Sequence, residues 1–263
     1  MKIIITESQY KRILKEEEEK KVLHIPSLKF FGNDWYQLQE FLNSIGNPPY
    51  SIGGYLDLGG TLIKSLGNLQ SVEGYLDLGN TPIESLGNLQ SVGGDLDLRD
   101  TPIKSLGNLT SVGSLYLRNT PIESLGNLTS VGGFLDLEGT QIESLGNLTS
   151  VGSLLDLKGT PIESLGNLQS VGGDLDLRDT PIKSLGNLQS VGGSLYLRNT
   201  PIESLGNLQS VGGSLNLGFT EIESFGNLIS VGGYLDLENT PLSEKYTEEQ
   251  IIQMVKVGGY VLL

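Results

Sequence analysis

Leu76-Asp77-Leu78-Gly79-Asn80-Thr81-Pro82-Ile83-Glu84-Ser85-Leu86-Gly87-Asn88-Leu89-Gln90-Ser91-Val92-Gly93-Gly94-Asp95 runs directly into Leu96-Asp97-Leu98-Arg99-Asp100-Thr101-Pro102-Ile103, a second start of the same pattern. Threonines at 61, 81, 101, 120, 140, 160, 180, 200, 220 and 240 mark the unit every twenty residues, with a single nineteen-residue step. The array covers about three quarters of the 263 residues. A unit this short cannot bury its own apolar side chains, so copies must stack on one another and share a core. The period alone therefore predicts a solenoid.

Each position in the unit carries an expectation. Leu76-Asp77-Leu78 alternates apolar and polar residues, the mark of a strand with one solvated face. Leu66, Leu69, Val72, Leu76, Leu78 and Ile83, with their equivalents, should form six inward columns. The pairs Gly93-Gly94 and Gly172-Gly173 are expected to supply turn geometry closed to other residues. Pro82, Pro102, Pro121, Pro161, Pro181, Pro201 and Pro241 follow the column threonine, where a fixed φ and a missing donor end the strand. Ser65, Asn68 and Ser71 and their copies are expected to hydrogen-bond the irregular return path from within the stack.

The spacing L-x-L-x-x-T-x-I-x-x-L-x-x-L-x-x-V, as in Leu96 to Ile103 continuing through Leu106, Leu109 and Val112, resembles a leucine-rich repeat protein of the short bacterial or bacteriophage type. Threonine stands where that family usually has a turn asparagine, and three residues rather than two separate Val72 from Leu76. The resemblance implies an α/β repeat solenoid, a right-handed coil with one parallel β-sheet of about ten or eleven short strands and irregular return paths. It also implies partner binding on the concave sheet. A right-handed β-solenoid of another kind is the alternative fold.

The ends read as helical caps. Asn33 or Asp34 can start a helix through Trp35-Tyr-Gln-Leu-Gln-Glu-Phe-Leu-Asn-Ser-Ile45, closed by Gly46 and Pro48-Pro49. Trp35, Leu38, Phe41, Leu42 and Ile45 would cover the first coil. Thr247-Glu-Glu-Gln250 is a capping box for a helix to about Lys256. Val257-Gly-Gly-Tyr-Val-Leu-Leu263 then echoes Val231-Gly-Gly-Tyr-Leu-Asp-Leu237, an eleventh strand whose apolar Leu262 suggests a covered position. The expected organisation is a 1–21 extension with a short helix, a 22–50 N-terminal cap, ten repeats over 51–242 and a 243–263 C-terminal cap.

Composition narrows the function. The chain has no cysteine, so a disulfide framework and thiolate metal sites are excluded. His24 is the only histidine and lies outside the repeats, so a histidine triad cannot form within them. Carboxylates abound, but as a ladder on an open face rather than in a cleft that excludes water. The expectation is no enzyme and no cofactor. Net charge is −14, and residues 51–242 hold eight basic against twenty-one acidic side chains, which disfavours nucleic acid. Neither a secretory signal nor a run of about eighteen apolar residues is apparent, so a cytoplasmic or virion-associated location is expected.

Function is sought on the outward strand positions, which vary far more than the core columns. The candidates are Tyr75, Asp77, Asp95, Asp97, Arg99, Tyr116, Arg118, Phe134, Asp136, Asp174, Asp176, Arg178, Tyr196 and Arg198. Asp95, Asp97, Arg99, Tyr116 and Arg118 recur as Asp174, Asp176, Arg178, Tyr196 and Arg198, two patches rich in the residues of binding hot spots. A protein or glycan partner is expected. A rigid spacer in a virion or surface assembly is the alternative, ice binding through the threonine array a third reading, and Ca²⁺ bridging of the aspartate column stays open.

Overall fold

The computed structural model describes residues 22–263, and the expectation of a helical extension over 1–21 lies outside them. The chain is a parallel β-solenoid, a right-handed coil with short helices near its two ends. Each coil contributes one strand to an 11-stranded parallel sheet, from Leu56–Asp57 through Leu76–Asp77 to Leu235–Asp236 and finally Val261–Leu262. We call this the Leu-Asp sheet, and number the coils 1 to 11 along it. Its register is strict: Leu76 lies beside Leu96 and Asp77 beside Asp97.

The return path is more regular than the sequence suggested. It carries a second parallel sheet of twelve strands, from Leu23–Ile25 through Ser91–Val92 to Lys256–Val257. In this Ser-Val sheet Gly93 N–H donates to the Val72 carbonyl at 2.8 Å, and Gln90 N–H to Gln70 at 2.8 Å. Isolated bridges such as Ser144 with Ser164 extend the pairing partway around the coil. The single-sheet expectation is therefore corrected to two. The reason is that every segment of a coil lies in register with its copy, so the return backbone satisfies its polar groups by pairing with its neighbours. The serines are not interior ligands either. Ser85 Oγ accepts from Gly87 N–H at 3.0 Å in a surface turn, and the Ser91 class faces outward.

The glycine pairs have a different cause from the one read in the sequence. Gly93 and Gly172 do not have positive φ. Instead, a Cβ on Gly172 would lie 2.2 Å from the Gly152 carbonyl oxygen, and one on Gly93 would lie 2.2 Å from that of Glu73. Left-handed backbone occurs elsewhere, immediately before the column threonine, at Asn80, Asp100, Gly139 and Gly159 among others. That turn is closed by the threonine itself: Thr81 Oγ1 donates to the Leu78 carbonyl at 2.7 Å. From Thr81 to Thr240 the column threonines are at most 3 % exposed. They form no outward array of the kind ice binding would use.

The six expected apolar columns are the core: Leu66, Leu69, Val72, Leu76, Leu78 and Ile83 are each no more than 2 % exposed. The N-terminal end is covered by the helix Trp35–Ser44, whose N-cap Asp34 accepts from Tyr36 and Gln37 N–H. Trp35, Leu38 and Leu42 are buried. Phe41 instead packs on Phe31 at 5.3 Å, and Ile45 is exposed, because the helix presents only one stripe to the coil. Tyr50 enters the leucine column beside Leu69, and its hydroxyl donates to the Leu66 carbonyl at 2.8 Å. At the other end a helix Glu248–Met254 precedes Val261–Leu262, which pairs with Leu235–Asp236. Leu262 is 47 % exposed, so the expectation of a covered position there is not met.

Replacing Gly172 by alanine should lower unfolding free energy by about 3 kcal/mol, through the backbone clash. Gly159→Ala, where φ is +66° and no atom lies within 4 Å of the new Cβ, should cost about 1 kcal/mol. Urea unfolding of both variants measures the difference, and equal losses would show that glycine does not set the coil spacing.

Candidate recognition face

The residues flanking the buried leucines of the Leu-Asp sheet point away from the core and form three outward columns. All fourteen candidates from the sequence fall on these columns. Tyr75 and Phe134 are 43 % and 45 % exposed. Register places Tyr116 between Asp97 and Asp136, and Tyr196 between Asp176 and Asn216. The two related patches are held apart by coils 5 and 6 and do not touch.

The acidic residues of this face have backbone duties the sequence did not reveal. In the middle column, Asp77 Oδ1 accepts from Gly79 N–H at 2.9 Å, Asp97 from Arg99 N–H at 3.0 Å and Asp136 from Glu138 N–H at 3.1 Å. Asn216 makes the same bond to Gly218 at 3.2 Å. The side chain thus satisfies the amide two residues on, where the strand ends. In the first column, Asp95 accepts from Ser114 N–H of the next coil at 3.1 Å, and Asp174 from Ser194 N–H at 2.6 Å. Ser114 and Ser214 do the same for Phe134 and Tyr234. These contacts occupy one oxygen of each carboxylate and leave the second for other partners.

The arginines are ion-paired rather than free. Arg99 Nε lies 3.0 Å from both oxygens of Asp97, and Arg178 grips Asp176 in the same way. Each guanidinium also stands over the tyrosine of the next coil, Arg99 at 5.6 Å from the Tyr116 ring centre and Arg178 at 5.4 Å from Tyr196. Asp176, expected as an outward contact, is buried at 8 % exposure in this arrangement, so it is corrected from contact residue to support for Arg178.

The second arginine of each patch breaks the symmetry. Arg118 reaches the next coil, pairing with Glu138 and lying 3.6 Å from Asp136. Coil 9 offers Asn216 and Gly218 in place of those carboxylates, so Arg198 extends two coils to Glu238 at 3.3 Å and Asp236 at 3.9 Å. Gly218 makes this path possible, since a Cβ there would lie 2.9 Å from Arg198 Nη1. On the way Arg198 lies 4.3 Å from the ring centre of Phe219. Phe219 was missed by the sequence reading. It holds φ of 60° at the left-handed position, where other coils use asparagine, aspartate or glycine, and its ring is 44 % exposed. A bulky residue there is a conformational outlier, and its departure from the repeat was the available signal. Stacked rings at the two ends, Tyr55 on Tyr75 at 5.1 Å and Tyr234 on Tyr260 at 5.5 Å, were also not anticipated as pairs.

Electrostatics follows from the ladder. Burial raises the pKa of Asp77, Asp136 and Asp156 above the ordinary aspartate value, and neighbouring carboxylates in the column add to the shift. For Asp136, Arg118 and Arg99 work against the rise. Among the described residues, Asp136, Glu138 and Asp156 bring carboxylate oxygens within 4.8 Å of one another. Arg118 already supplies positive charge to the first two. No helix among the described residues is long and apolar enough to cross a membrane. No protein-family model and no curated protein matches the chain.

A raised folded-state pKa means that the fold favours protonated Asp156 over its charged form. Its contribution to stability is therefore present below the unfolded aspartate value and is lost as pH rises through the folded one. Asp156→Asn keeps the acceptor for Lys158 N–H, as Asn216 does in its own coil. It should raise Tm at pH 7 and leave it unchanged near pH 3. Scanning calorimetry at the two pH values tests this. Phe219→Asn should add about 1 kcal/mol by relieving the left-handed backbone, and a urea midpoint at or below that of the parent would refute the strain.

Proposed function

We propose that the chain is a non-catalytic recognition module that binds a protein or glycan partner through the Leu-Asp sheet, the concave face of a leucine-rich-repeat coil of short bacterial or bacteriophage type. The reading rests on one contrast between the two sheets. On the Ser-Val sheet the outward strand residue is serine in every coil from Ser71 to Ser230, and the outward residue before it is glutamine or threonine in all of them but one, which has Ile229. On the Leu-Asp sheet the outward positions range over tyrosine, phenylalanine, leucine, serine, asparagine, aspartate, glutamate, lysine, arginine and glycine. Drift of solvated positions would diversify both faces alike. Diversity concentrated on one face is what selection for a partner produces, and its aromatic and arginine content suits an interface.

The acidic balance of the repeats turns nucleic acid away and favours partners without phosphate backbones. Catalysis has no support in the arrangement, because the carboxylates lie on an open sheet and are tied to backbone amides or arginines. A cytoplasmic or virion-associated setting fits this reading. The competing role, a rigid spacer in a virion or surface assembly, requires no particular side chain on either sheet.

Alanine at Tyr116, Arg118, Tyr196 and Arg198 together separates the two. Partner capture by the immobilised chain from its native source should fall at least tenfold, with the circular dichroism spectrum unchanged, since exposed ion pairs contribute about 0–1 kcal/mol each. A control with Ser170 and Ser190 changed to arginine should capture normally. Undiminished capture by the alanine variant, or loss only in the serine control, would refute the assignment of the face.

A further inference from the structure

Resting on that reading of the Leu-Asp sheet, the two sequence-related patches are not equivalent as binding sites. In front of the first patch, Tyr75 and Tyr116 wall a notch of about 200 Å³ whose other lining includes Asp77, Asp95 and Asp97. Tyr75 is held upright by the stacked Tyr55 ring, only 9° from parallel. Next to the notch, a polar depression of about 350 Å³ shares Asp77 and Asp97 with it, is bordered by Arg99 on one side, and opens where Gly59 and Gly79 carry no side chain. The coil in front of the second patch supplies Leu154 and Lys158 where Tyr75 and Gly79 stand. There the aromatic wall is missing and a cation occupies the place of the opening.

Charge is also unequal. The outward strand positions of coils 1 to 3 hold Asp57, Asp77, Asp95 and Asp97 against Arg99 alone. Farther along, Arg118 and Arg198 each pair with two carboxylates. The face is thus negative where the two tyrosines part, with Arg99 the one outward cation among four aspartates.

We propose that the Tyr75–Tyr116 notch receives a lysine or arginine side chain of an extended basic segment on a protein partner. Ring faces and carboxylates together attract a cation more strongly than either does alone. An extended segment presents alternate side chains on one side about 7 Å apart. A Lys-x-Lys pattern can therefore address the notch and the neighbouring depression at once, with Asp77 shared between them while Arg99 holds Asp97.

The test uses the full chain labelled with ¹⁵N and an acetylated, amidated peptide alternating glycine with three lysines, with the glutamate analogue as control. Amide resonances of Tyr75, Asp95, Asp97 and Tyr116 should shift saturably with the lysine peptide. Tyr75→Phe should retain binding. Tyr75→Leu with Gly79→Lys, which installs the residues that coil 6 already tolerates, should weaken it about tenfold. Equal shifts around Tyr196, unchanged affinity in the double variant, or preference for the glutamate peptide would overturn the proposal. Silence across the chain would overturn it too, while leaving the recognition face to the capture experiment. A response confined to the Ser-Val sheet would count against both.

Discussion

Backbone-to-backbone stacking at the spacing of a parallel sheet is the constraint from which the rest of the molecule follows. Coils separated by about 4.8 Å bring the carbonyl of one turn against the Cα of the next. At most of the Ser-Val corners a side chain is crowded out, since a Cβ on Gly192 or Gly212 would lie 2.1 to 2.2 Å from the preceding glycine's oxygen, whereas Glu73 and Gly132 mark corners with room. Close stacking in turn places every leucine beside its copy, and so creates a core that no single unit owns. The same spacing pulls the return path into register and makes a second sheet of it.

Stacking also sets the chemistry of the exposed face. Side chains repeated at sheet spacing form ladders, so burial between coils first, and aspartate beside aspartate second, displaces their protonation upward. The fold accommodates the crowding in two ways. Backbone amides are aimed at the carboxylates, as at Asp77 and Asp156. Arginines reach along the axis to neighbouring coils, one step for Arg118 and two for Arg198. Such pairs neutralise the face unevenly. At coils 1 to 3 Arg99 is the one outward cation against four aspartates, and the aromatic side chains flanking that stretch are tyrosines.

A repeat protein also shows how a site arises without new architecture. Coils 3–4 and 7–8 carry the same five residues, and their local geometry is nearly the same, down to the arginine over the tyrosine ring. What differs is the coil on each side, for after the second patch Asn216 and Gly218 stand where Asp136 and Glu138 follow the first, and the coil before it differs as well. Tyr75 walls a notch and Gly79 lines the depression beside it, whereas Leu154 and Lys158 stand at those positions before the second patch. Specificity here is a property of adjacency, and a substitution one coil away changes a site as surely as one within it.

The division between what the chain itself announced and what needed three dimensions follows the same line. Periodicity determined the solenoid, the buried columns and the outward columns, because identical units can only stack and alternation assigns each residue a side. The threonine turn was legible for the same reason, and so were helices near both ends, where capping residues act locally. The second sheet was not, since Ser91-Val92 is too short to show a strand period and pairs only because its copy lies one coil away. Nor could the sequence show that Asp95 serves the amide of Ser114, that Asp176 is covered, or that Arg198 passes Gly218 to reach Glu238. Those contacts join residues 19 to 40 positions apart. Only the tertiary structure decided them, because they depend on which coil happens to be the neighbour and on the space its side chains leave.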